Sequence, residues 1–133
     1  MATSKVIYNG SLRTTATHLR SGEEIMTDAP VDNNGKGEAF SPTDLLATSL
    51  ANCMLTVMGI ASYTHAIEID GTMAEVTKVM AEAPRRVSEI HIEFSFPNAY
   101  SDKQKKILEH AALTCPVAQS LHPDIKKVVN FNW

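Results

Sequence analysis

From Ser41 to about Tyr63 the chain reads as one long helix with apolar residues on more than one side: Leu45, Leu46, Leu50, Cys53, Met54, Val57, Met58, Ile60 and Ala61. Ser41 suits the N-cap and Pro42 the first helical position, while Asp44 in the first turn complements the helix dipole. A helix this apolar around its circumference has to be buried on several sides. The chain has 133 residues, 44% of them hydrophobic, which suffices for one domain, 1–133, with a real core. So small a domain has few elements with which to surround such a helix. Packing against a second copy is one direct solution, and a homodimer is expected. Thr48, Ser49, Asn52, Thr56 and Gly59 interrupt the segment and make it too polar for a membrane span.

The flanks supply strands and shorter helices. Val6-Ile7-Tyr8 leads into Asn9-Gly10, a hairpin signal because both turn positions need φ > 0. Leu12 to Leu19 reads as a second strand, Ser21-Gly22 as a turn and Glu24 to Thr27 as a third strand. After the long helix, Ile67 begins an alternating stretch that predicts a strand to about Ala81. Ile90, Ile92, Phe94 and Phe96 alternate with Glu89, His91, Glu93 and Ser95, the pattern of a half-buried strand. Ser101 with Gln104 forms a capping box opening a helix from Asp102 to about Leu113. Pro116 starts a short helix that ends before Pro123, and Val129, Phe131 and Trp133 alternate in a final strand. The class is α+β, a long buried helix with antiparallel sheets.

A formal charge of −3, with basic residues no denser than pairs such as Lys105-Lys106, argues against nucleic acid as a partner. The polar start Met1–Lys5 is not a signal peptide, so a soluble, cytoplasmic protein is expected. In that compartment the two cysteines, Cys53 and Cys115, are expected to be free or redox-active rather than a permanent bridge. The spacing of His110, Cys115 and His122 matches no zinc pattern, and Gly35-Lys36-Gly37 is not a phosphate loop. No metal or cofactor is expected.

Each thiol has two readings. Cys53 lies at helical spacing from Leu46, Leu50, Val57 and Ile60, where a cysteine is most often a small core residue. Reactivity there needs a cation from elsewhere, because an apolar wall raises a thiol pKa. Arg13 and Arg20 in the N-terminal hairpins are candidates, and Arg85 and Arg86 lie in a later turn. Cys115 precedes Pro116 and so occupies the N-cap of the short helix, where unpaired N–H groups favour a thiolate; an ordinary cap is the competing reading. The pair can bridge only if the fold brings their Cα atoms within roughly 7 Å.

Two segments carry a resemblance. Phe40-Ser41-Pro42-Thr43-Asp44-Leu45-Leu46, followed by a helix with Cys53, is similar to the central helix of the OsmC/Ohr family. Leu113-Thr114-Cys115-Pro116-Val117-Ala118 resembles that family's second cysteine motif, and the order of elements matches over essentially the whole chain. The resemblance implies an OsmC-like fold assembled as an intertwined homodimer. It also implies a thiol peroxidase acting on organic hydroperoxides or hydrogen peroxide. Cys53 would attack, Cys115 would resolve the sulfenic acid to a disulfide, and an external dithiol would restore both. The family arginine matches Arg13 by order, with Arg20 in reserve, and the carboxylate that holds it matches Asp44. One departure stands out: Thr43 occupies the position after the proline where the better-known branches carry the acid. A one-residue shift turns a side chain by about 100° around a helix. The alternatives are a non-catalytic dimer that binds a small apolar ligand, and a Cys–His hydrolase using His110 beside Cys115.

Overall fold

The structure, a computed structural model, describes all 133 residues. They form two compact units, Met1–Leu46 and Ala47–Trp133. The first is an antiparallel meander of β1 (Ser4–Gly10), β2 (Arg13–His18) and β3 (Glu24–Asp28), followed by a single 3-10 turn at Val31–Asn33. The first hairpin turns later than the Asn9-Gly10 pair predicts. Ser11 and Leu12 take φ of 56° and 64°, and Gly10, at φ 85°, ends β1 beyond a register shift after Tyr8. Gly10 therefore spends its conformational freedom on the bulge, and the side chain of Asn9 donates to Thr15 Oγ1 across the ladder. Val6, Ala16 and Ile25 align on one face of this sheet, and Ile7, Thr15 and Met26 on the other. Val6, Ile7, Ile25 and Met26 are all exposed in the single chain.

The long helix α1 (Pro42–His65) begins at the end of the first unit and runs on through the second. The rest of the second unit is β4 (Met73–Ala81), β5 (Arg86–Ser95), α2 (Asp102–Leu113), α3 (Pro116–Ser120) and β6 (Lys126–Asn132). The sheet order is β4-β5-β6, antiparallel between the first pair and parallel between the second. The strand expected from Ile67 begins only at Met73. Gly71 (φ 91°) and a Thr72 N–H bond to the Ile69 carbonyl (3.0 Å) turn the chain first. Ile67 and Ile69 are nonetheless buried, so a loop whose alternate residues plug the core reads like a strand.

Ile90, Ile92 and Phe94 of β5 form one core with Leu50, Met54 and Met58 of α1 and Leu108 and Ala112 of α2. Toward the end of the sheet, Phe96 stacks on Trp133 with centroids 4.1 Å apart. The predicted capping box starts α2: Ser101 Oγ accepts from Gln104 N–H and Gln104 Oε1 from Ser101 N–H. Only one side of α1 is covered. Thr56, Ile60 and Tyr63 lie on the opposite side, with Ile60 61% and Tyr63 91% exposed.

Candidate functional site

The second unit brings the two thiols together. Thr114 caps α2, and Cys115 follows with an extended backbone (φ −67°, ψ 152°), as a residue before proline prefers. It is the N-cap of α3, and its Sγ accepts from Ala118 N–H at 3.4 Å. Cys53 comes from the middle of α1, and its Sγ accepts from Val117 N–H at 3.5 Å. Both sulfurs thus meet the first turn of α3, and the two thiols are within hydrogen-bonding reach of each other. Both are free cysteines, Cys53 half-buried and Cys115 fully buried.

The chemistry of the pair is asymmetric. Burial pushes the Cys115 thiol up, and Cys53 adds to this through its hydrogen bond and charge, against the Ala118 and Val117 N–H groups. The cap therefore does not lower the Cys115 thiol. Its cap geometry is present, but desolvation of the charged form outweighs two weak N–H···S bonds. Local sequence could show the cap and not the elements that close over it. His110 and His122 are exposed, and no three His, Cys, Asp or Glu side chains gather into a metal site.

The first unit positions Arg13. It opens β2 directly opposite Asp28 of β3. Its Nη2 donates to Glu38 Oε2 at 2.9 Å and to Asp28 Oδ2 at 3.4 Å. These acids raise the pKa of the guanidinium, Glu38 most. Asp28 is only 1% exposed, yet its carboxyl is held below the usual range, first by the Glu38 backbone N–H and then by Arg13, against burial. Asp44 is engaged at the start of α1: its Oδ2 accepts from Ser41 N–H at 2.9 Å while Ser41 Oγ accepts from Asp44 N–H at 3.0 Å. Arg20 is exposed in the turn after β2. The carboxylates on Arg13 are thus Asp28 and Glu38, neither apparent from sequence. Counting the β2–β3 register back from the Ser21-Gly22 turn could have found Asp28.

A family model described as OsmC-like protein matches residues 35–129. The chain belongs to the OsmC-like protein family. A solved structure from Psychrobacter arcticus 273-4, provisionally named an osmotic stress induced and detoxification response protein, is 64% identical. It superposes with a TM-score of 0.96 over 99% of this chain and 96% of that one. An OsmC-like protein from Mycoplasma pneumoniae, 20% identical, gives 0.80 over 97% of this chain and 94% of its own. An organic hydroperoxide resistance protein OsmC from Legionella pneumophila, 13% identical, gives 0.74 over 100% and 98%. These last two share the fold. No curated protein matches the chain.

Proposed function

We propose that this protein is a thiol-dependent peroxidase, a cytoplasmic homodimer in which Cys53 attacks hydroperoxides and Cys115 resolves. The observation that carries the reading is that a half-buried thiol and a buried one both meet the first turn of α3. The Cys53 thiolate attacks the distal peroxide oxygen, the O–O bond breaks, and the alkoxide leaves as an alcohol after taking a proton. Cys53 is then a sulfenic acid. The Cys115 thiolate attacks that sulfur, the S–O bond breaks, water is released on protonation, and a disulfide remains. An external dithiol reduces the disulfide and is itself oxidised. Arg13 serves as the cation for the Cys53 thiolate. Asp44 supports the site by fixing the start of the helix that carries Cys53. The uncovered face of α1, with Ile60 and Tyr63, and the exposed apolar residues on both faces of the first sheet support assembly with a second copy.

One observation favours a second reading, a dimer that binds an apolar ligand beside idle thiols: burial pushes the Cys115 thiol up. Peroxide consumption with a dithiol reductant separates the two. The peroxidase reading expects Cys53→Ser to abolish consumption and Cys115→Ser to allow a single turnover. Consumption by Cys53→Ser at the parent rate would refute it.

A further inference from the structure

The helix α3 has only five residues, Pro116–Ser120, and so short a helix is not stable on its own backbone bonds. Pro116 carries no N–H, so the first donors of its opening turn are Val117 and Ala118. Both donate to sulfur: Val117 N–H to Cys53 Sγ at 3.5 Å, and Ala118 N–H to Cys115 Sγ at 3.4 Å. Further along, Gln119 N–H donates to the Cys115 carbonyl and Leu121 N–H to the Val117 carbonyl, each at 3.1 Å. Pro116, Gln119 and Ser120 face solvent, while Val117 and Ala118 are half-buried. The side chains that fasten the start of α3 are therefore the two whose bonding changes when the thiols are oxidised.

Resting on the peroxidase reading, we propose that α3 is a redox-sensitive latch, fastened while both thiols are free and loosened when the Cys53–Cys115 disulfide closes, which opens the Cys115 sulfur to the external dithiol. Two changes act in the same direction. A covalent S–S bond is far shorter than the present hydrogen-bonding contact between the thiols. The sulfurs hang from different elements, α1 and the start of α3, so their approach draws at least one of them off its N–H donor. Oxidation also replaces thiol or thiolate by a neutral disulfide, whose sulfur accepts a weaker bond than a thiolate does. A half-buried N–H that loses its acceptor favours a local opening that admits water. Cys115 is fully buried in the reduced chain, so a dithiol needs such an opening to reach it. One thiolate of the dithiol bonds to the Cys115 sulfur, the S–S bond breaks, and Cys53 leaves as a thiolate. The second thiol of the reductant gives up its proton and displaces Cys115, which takes a proton, and the reductant departs as a disulfide.

The test compares hydrogen exchange in the reduced protein and in protein bridged by diamide. Diamide takes two electrons and two protons from the thiols and becomes a hydrazine, so no peroxide is involved. Exchange at the Val117 and Ala118 amides is expected to rise about tenfold or more on bridging, with the α2 amides of Leu108 and Ala112 unchanged. Dithiothreitol is expected to restore the reduced pattern. Brief treatment of the bridged protein with excess 2-mercaptoethanol, quenched in acid and mapped by mass, is expected to leave the monothiol on Cys115. Unchanged exchange in the bridged protein, equal acceleration in α2, or an adduct confined to Cys53 overturns the proposal. A protein that diamide leaves with two free thiols overturns it as well. Failure of the underlying reading looks different, because then Cys53→Ser itself consumes peroxide like the parent.

Discussion

Raising the pH from 7 to 8 is expected to speed closure of the Cys53–Cys115 disulfide by about tenfold, because closure needs the Cys115 thiolate. An ordinary thiol of pKa about 8.5 is roughly 3% ionised at pH 7. Burial pushes Cys115 above its ordinary value, so its ionised share is smaller still and grows nearly in proportion to hydroxide over this range. Peroxide attack at Cys53 does not use the Cys115 thiolate, so closure can be followed as its own step. Reduced protein mixed with one equivalent of an organic hydroperoxide should pass through the sulfenic acid before the disulfide closes. Quenching in acid at intervals, trapping the sulfenic acid with dimedone and weighing the products gives the closure rate directly. Cys115→Ser should stop at the sulfenic acid at every pH. A closure rate that stays flat between pH 6.5 and 8.5 would refute the argument that a buried, protonated thiol limits this step.

Three further outcomes follow from other parts of the molecule. Ile60→Glu places a charge on the uncovered face of α1 and is expected to shift the protein from dimer to monomer in sedimentation; an unchanged mass would remove that face from the interface. Ser101→Ala breaks the capping box of α2 and should cost about 1 kcal/mol, lowering Tm by about 4 °C in a chain of this size, as a thermal melt would read. The folded Asp28 carboxyl titrates below its unfolded value, so its contribution to stability is present above about pH 4 and is lost as pH falls through the folded pKa. Denaturant titrations at pH 3 and pH 6 should therefore differ less for Asp28→Asn than for the parent; an equal difference would contradict this.

What could be read from sequence was whatever local chemistry decides. The α2 start depends on Ser101 and Gln104 alone, and β5 on strict alternation between Ile90 and Phe96, so both appear where expected. The first hairpin slipped because Asn9-Gly10 could serve either a turn or a bulge, and only the pairing of Tyr8 with Thr14 decides between them. Ile67 and Ile69 misled because a buried loop can carry the same two-residue period as a strand. At the thiols, the cap at Cys115 was legible, but its burial depends on α1, which lies far away in sequence. Likewise the acids on Arg13 come from the next strand and the loop beyond it, and a search confined to the cysteine helix passes over both.

Cys53 and Cys115 are proposed to act as one redox pair. Titrating the fully reduced protein with an organic hydroperoxide and mapping its cysteines by mass tests this most directly. The expected result is loss of both thiols at one equivalent of peroxide and a single Cys53–Cys115 disulfide that a dithiol reverses. Two thiols surviving an excess of peroxide, or oxidation of Cys53 alone with Cys115 left free, would contradict it.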